Sequence, residues 1–392
     1  VTGALSTSQL LALGYTEPNS YKRPSKTERP SKSKVDTSGE LNNLITRTSN
    51  AGGGRIHIPR STYSWGGIQL KKNVHLIIAK NTTINGRGGT MFNFGNGVFN
   101  ASVRAASGNF KVNMKAGTSG RAFVVTGATN FLIRGVAIND RNTMFSSVEY
   151  TWGGVSGNNK GSDGRGPSVK IPRKGTLKNI TTVNSDFGYG IIQVTAGDNL
   201  RFENLRGNGG VTLRCETHWV RMQNSGTGGT GAMEAINLSQ NGGQTVVKLQ
   251  PHTMRNGKLT LRKVNAVGCA TAIAHEKGFR APGVKSGRTA GRFNAVDAYD
   301  INATARNSGP EFNFVQLFRL RSSDHGRVCK FTRVPGGIAY RGPSATVVAN
   351  EASPRISFKG PNPVQGTGFG SKPLRTTGRL FTGRLPSFRN CR

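Results

Sequence analysis

Arg214, Glu216 and His218 alternate with Cys215 and Thr217 in the stretch VTLRCETHW. In a β-strand, residues two apart project from the same side. A guanidinium, a carboxylate and an imidazole therefore share one face, while Leu213, Cys215 and Trp219 face a core. A carboxyl group that can give or take a proton, beside an imidazole that titrates near neutrality, is the equipment of general acid–base chemistry. A surface strand with a solvated ion pair carries the same local pattern, because structural ion pairs mimic functional ones. Gln193 stands one repeat earlier, in GYGIIQV, and Tyr189 opens that run.

The elements that must position these side chains are strands. From GGGRIHIP (52–59) through GIQLKKNVHLIIAKNTTING, AFVVTGATNFLIRGVAI, TLKNITTV, NLRFENL, TVVKLQP and KLTLRKV to ATAIAHE, short alternating runs are separated by Gly, Asn and Ser turns. Leu177 and Leu200, like Gln193 and Glu216, lie 23 residues apart, and Leu200, Phe202 and Leu205 recur as Leu259, Leu261 and Val264 at a common offset of 59. A repeat of about 20 to 30 residues with several short strands predicts a parallel β-helix. A β-sandwich is the alternative, but turns every 8–12 residues do not produce the longer recurrence.

The ends differ from the middle. Residues 1–34, rich in Ser, Pro and Lys, read as a flexible basic arm. Thr37 and Glu40 have capping-box spacing, with Leu41, Leu44 and Ile45 on one face of the helix that follows. That short helix is expected to cover the open end of the stack, which otherwise exposes core. The expected layout is the arm (1–34), the β-helix with its N-terminal cap (35–350) and an irregular tail (351–392) wrapping the outside. Of the four cysteines, Cys215 and Cys269 lie in strand-like runs as buried thiols. Cys329 and Cys391 lie where a disulfide would tie down the tail.

The chain has 392 residues, and its 54 Lys plus Arg against 18 Asp plus Glu give a net charge of +36. Such an excess points to a polyanionic partner: nucleic acid, an acidic membrane surface or an anionic polysaccharide. Zinc-ligand spacings, RRM-type aromatics and helix-turn-helix patterns are missing, and the basic residues are dispersed. A long groove for an anionic polymer fits that dispersion, as does plain colloidal solubility. No run of about 18 apolar residues is present. The expectation is a monomer that binds neither nucleic acid nor membrane, without cofactor or catalytic metal. A secreted protein whose signal has been removed fits the start at Val1.

Together GGGRIHIP…STY…GIQLKKNVHLII, DFGYGIIQVTAGDNLRFENL, GGVTLRCETH and QPHTMRNGKL resemble the iota-carrageenase family of glycoside hydrolases. The resemblance runs from about residue 50 to 278 and returns at RVCKFTRVPGGIAYRGPSATVV. It includes the interval of 36 residues between Glu216 and His252. It implies an all-β, single-stranded right-handed parallel β-helix. It also implies endo-hydrolysis of β-1,4 bonds in a sulfated galactan of the carrageenan type, with inversion at the anomeric carbon. Position by position, Glu216 is similar to the family's general acid, Gln193 to the residue that holds the nucleophilic water, and His252 to an active-site histidine. Arg214 matches an arginine placed to meet a sulfate. Lys248 is a second candidate for sulfate, Tyr189 for stacking on a sugar ring and His275 for the cleft, while His57 and His75 read as structural.

The sequence departs from the family pattern at His218, where the family has an aspartate that serves as general base. Inverting hydrolysis needs one group to protonate the leaving oxygen and another to activate water on the opposite face. Three readings are open. His218 is itself the base; a carboxylate from a neighbouring coil, such as Glu234, supplies the function; or the site has lost hydrolysis and kept binding. A hydrolase for a differently sulfated carrageenan is a variant of the first. A lyase would need a uronic acid substrate and a Lys or Arg base, and the clustered aspartates of a polygalacturonase are missing. Members of that family can carry a large insertion after the run corresponding to ATAIAHE that closes over the cleft; with only about forty residues between Gly278 and Leu317, the resemblance implies an open groove and random endo-attack.

Overall fold

The computed structural model describes residues 13–18, 26–143, 145–153, 170–217, 220–226, 228–332 and 337–391. The alternating runs form short strands, each paired in parallel with its equivalent in the next coil. Among the described residues this builds a ten-stranded sheet, from Ile68–Gln69 to Arg375–Thr376, and a sixteen-stranded sheet that covers the rest of the circumference.

The larger sheet turns a corner. In Thr129–Asn139 the first half pairs with Phe99–Ala105 and the second half with Phe110–Asn113. The corner residues Gly135, Asn179, Asn204, Asn237, Lys263 and Asp300 all have left-handed backbones, with φ between 54° and 76°. Asparagine tolerates this region better than most side chains, and stacking lets the amides satisfy one another. Asn204 Nδ2 donates to Asn179 Oδ1 at 2.9 Å, and Asn237 Nδ2 to Asn204 Oδ1 at 2.8 Å. The coil therefore has three faces, one of them the ten-stranded sheet.

Inward residues fill the axis with a column of rings. Phe92 and Phe123 stack at 5.0 Å, Phe131 meets Tyr150 edge-on at 5.2 Å, and Tyr150 leans on Phe202 at 6.0 Å. The 59-residue recurrence is a true register: Leu200 aligns with Met233 and then with Leu259, two coils on. The 23-residue interval is not. Leu177 pairs with Phe202, not Leu200, because this coil is two residues longer than the spacing of the leucines suggests.

At the N-terminal end Ser38–Asn50 is helical, with both arms of the Thr37–Glu40 capping box formed and Leu41, Leu44 and Ile45 buried against the first coils. Parts of the segment read as an arm are docked. Gly14 and Tyr15 donate backbone N–H bonds to Asn199 Oδ1 and Thr176 Oγ1, and Thr27–Glu28 pairs with Gly54–Ile58. Residues 1–12 and 19–25 lie outside the described residues.

The tail is more regular than its Pro- and Gly-rich composition suggests. Ser357–Phe358 and Val364–Thr367 pair with Arg292–Thr304, and Arg375–Thr376 pairs with Val348–Asn350, so the tail builds a last coil. Beside it, Glu311–Phe312, Cys329–Thr332 and Ile338–Arg341 form a small antiparallel sheet over Leu317, Leu320 and Val328. The Cys329–Cys391 disulfide fastens the end of the chain to this sheet across 62 residues. Loop-closure entropy for that span corresponds to roughly 4 kcal/mol. The Cys329→Ser/Cys391→Ser variant is expected to unfold at clearly lower urea concentration than the oxidised protein, by circular dichroism. Equal midpoints would mean that the last coil holds itself.

Candidate active site

The ten-stranded sheet presents the candidate residues on its outer side. In Val211–Glu216 the inward Leu213 and Cys215 are buried in the core, while Arg214 and Glu216 point outward. Coil stacking sets Gln193 beside Arg214 and Arg214 beside Lys248. It places Gln250 next to Glu216, so polar side chains that are distant in sequence form a continuous row.

Glu216 is gripped through both oxygens. Gln193 Nε2 donates to Oε2 at 3.3 Å, and Arg214 Nε donates to the same oxygen at 2.5 Å. His252 Nε2 lies 3.4 Å from Oε1. Arg214 also donates to the carbonyl of Gly188. That carbonyl is aimed by a turn in which Tyr189 N–H returns to Asp186 O and Gly188 adopts φ +74°. The guanidinium stacks over the Tyr189 ring, 4.6 Å from its centre. His252 itself sits at φ 49°, an unusual conformation for a side chain of its size. The turn after Pro251 imposes it and throws the imidazole back towards Glu216.

The structure thus gathers Gln193, Arg214, Glu216, His252, Tyr189 and Lys248 on one face. His218 lies outside the described residues. Lys248 is only 4% exposed. Burial lowers its pKa, with Glu276 and Glu216 opposing and Arg214 and Arg319 assisting. It sits buried in the row, stacked on Arg214 of the neighbouring coil.

His275 is placed elsewhere. It aligns with Leu249 on the inward side, is 0% exposed, and meets Phe293 edge-on and Asn350 Oδ1 at 3.3 Å. It is a core residue, not a cleft residue. Burial pushes its pKa from 6.5 to about 4. The folded protein therefore leaves this imidazole neutral at pH values where the unfolded chain protonates it. Its contribution to stability is full above pH 6.5 and is lost as pH falls towards 4. His275→Gln is expected to flatten the decline of melting temperature between pH 6.5 and 4. An unchanged slope would contradict this.

Glu234 is also excluded as a neighbour of Glu216. Its strand, Met233–Asn241, belongs to the sixteen-stranded sheet, and its carboxylate is held by Arg201 at 3.1 Å and Arg262 at 3.7 Å.

Other residues near the row carried weak signals or none. Glu276 follows Gln250 on the adjacent coil and accepts from Gln250 Nε2 at 2.8 Å and Arg319 at 3.2 Å. Burial alone would raise its pKa, but Lys248 and Arg319 outweigh that and hold it below the ordinary carboxylate range. It lies two coils from Glu216, with Gln250 on the strand between them. With its oxygens already engaged, it acts as an anchor for the row. Glu149, beside Gln193, pairs with Arg121 at 2.5 Å. Phe279 lies over His252, ring centres 4.2 Å apart, yet stays 42% exposed, an apolar wall at the edge of the site.

No family model matches the chain. Over 257 residues, 62% of this chain and 50% of the relative, it is 35% identical to an iota-carrageenase of Zobellia galactanivorans. Over 306 residues, 71% of this chain and 60% of the relative, it is 31% identical to an iota-carrageenase of Alteromonas macleodii. The chain therefore spans between half and three-fifths of the length of these curated relatives. Among solved structures, it superposes with a TM-score of 0.83 and 24% identity on a 1,3-α-1,4-β-D-galactose-4-sulfate-3,6-anhydro-D-galactose-2-sulfate 4-galactohydrolase, covering 100% of this chain and 99% of that one. That likeness concerns the fold, a right-handed parallel β-helix.

Proposed function

We propose, from the 31–35% identity to two iota-carrageenases and the gripped carboxyl of Glu216, that this chain is a glycoside hydrolase of the iota-carrageenase family, an inverting endo-hydrolase of β-1,4 bonds in iota-type sulfated galactan. The observation that carries this reading is the convergence of Gln193, Arg214 and His252 on one outward carboxylate in a chain so poor in acids.

In the proposed reaction Glu216 gives its proton to the leaving glycosidic oxygen as the bond to the anomeric carbon breaks. Water attacks that carbon from the opposite face, oriented by Gln193, and its proton passes to neutral His218. Solvent then returns a proton to Glu216 and takes one from His218. Arg214 pairs with Glu216, and an opposite charge so close favours the carboxylate over the acid form. A substrate sulfate that draws Arg214 away frees the carboxyl to take up a proton. Substrate binding and acid activation are then the same event. Lys248 lies buried in the sulfate-facing row, and Tyr189 and Phe279 offer surfaces for sugar rings. The polymer is too large to enter a cell, so the protein works outside it.

The substitution at His218 favours one competing reading, a protein that binds sulfated galactan without cutting it. Proton NMR during digestion of iota-type polymer separates the two. The proposal expects the α-anomer of the new reducing end first, with the β-anomer growing by mutarotation. First appearance of the β-anomer would refute inversion, and no new anomeric signal would leave the binding reading.

A further inference from the structure

The corner of the larger sheet carries a second basic surface. A concavity of about 490 Å³ opens there, lined by Arg134, Lys178 and Arg206 together with the amide ladder Asn179, Asn204 and Asn237. It shares Thr181 and Arg206 with a neighbouring hollow of about 550 Å³ that ends at Arg306. The two form one trough running along the helix axis, across the strands from Thr129–Asn139 to Arg255–Val267. Among the described residues, no aspartate, glutamate or aromatic ring lines either hollow. Lys178 is paired with Glu203 at 2.7 Å. No ion pair engages Arg206 or Arg306 among the described residues, and both are exposed.

This trough lies on a different face from Glu216, whose strand belongs to the ten-stranded sheet. We propose that it is a second, non-catalytic binding surface for the sulfated galactan, which holds one segment of polymer while the Glu216 face works on another. Its arginines match sulfate esters, and its asparagine and threonine side chains match sugar hydroxyls. Single-stranded nucleic acid would find nothing on which to stack its bases. Arg134 and Lys178 stack in successive coils about 4.8 Å apart, and Arg206 and Arg306 follow in later coils, which spreads the cations along the axis, the direction in which a polymer would lie. On a gel, a second attachment raises the local concentration of substrate at the cleft without any new contact to the scissile bond.

The substrate class rests on the proposed function, so the test reads binding apart from catalysis. In Glu216→Gln protein, co-sedimentation with iota-carrageenan gel is measured at fixed salt, with and without Arg134→Ala/Arg206→Ala, and with Arg206→Glu as a second variant. The apparent Kd is expected to rise about tenfold. In the otherwise unaltered enzyme the same arginine variants should keep kcat/KM on a short soluble sulfated oligosaccharide within about twofold. Unchanged gel binding would overturn the proposal, as would a loss of oligosaccharide cleavage in step with gel binding. Tighter binding of RNA or DNA than of the gel, abolished by the same substitutions, would assign the trough to nucleic acid and also overturn it. Failure of the wild type to cut any galactan would refute the hydrolase reading and leave the gel-binding comparison intact.

Discussion

Glu216→Gln is expected to release reducing ends from iota-type polymer about 10²–10⁴-fold more slowly than the wild type, the usual range for loss of a general acid. The amide nearly matches the carboxyl in shape and can still meet Gln193 and His252, but it has no proton to give to the leaving oxygen. Because Arg214 loses its ion-pair partner, sulfated oligosaccharide should bind the variant at least as tightly as the wild type. Single-turnover rates and binding isotherms read these two effects separately. A variant that keeps within a few fold of the wild-type rate would remove Glu216 from the chemistry. A variant that loses binding in proportion to rate would make Glu216 part of the sulfate-positioning row only.

The second large effect concerns His218. If the imidazole takes the proton from water, His218→Ala loses about 10²–10⁴-fold in kcat and with it the acid-side fall in the pH–rate profile. The sign follows from the chemistry: only the neutral imidazole accepts a proton, so the rate drops as pH falls through its pKa, near 6.5 for an unperturbed group. His218→Asp should restore activity and carry the acid limb to lower pH, towards the carboxylate range. An alanine variant with an unaltered profile would pass the role to another group. Glu276 would be next to test, although Gln250 and Arg319 already occupy its oxygens.

How much of this was legible beforehand depended on whether a run carried its own parity. VTLRCE alternates apolar and polar residues, so Leu213 and Cys215 declared the inside, and Arg214 and Glu216 the outside. ATAIAHE carries no such signal. His275 lies between Ala274 and Glu276 at the end of a run of small and apolar residues, and only its pairing with Leu249 reveals that it points inward. Glu234 misled for a related reason. Closeness in sequence to Glu216 says little when successive strands lie on different faces of a coil. Glu149, Glu276 and Phe279 were missed because coils far apart in sequence bring them to the row, and no local motif marks them. The capping box at Thr37 was readable because all of its hydrogen bonds are local. The tail was not: its strands are two to four residues long, and they form because the preceding coil offers an edge.

The most direct test of the account is reducing-end release by the wild-type chain from iota-, kappa- and lambda-type carrageenan, measured beside Glu216→Gln. Cleavage of the iota-type polymer is expected, with viscosity falling early as internal bonds are cut, and little or no release by the variant. Salt-dependent binding of the polymer with no release by either protein would contradict it.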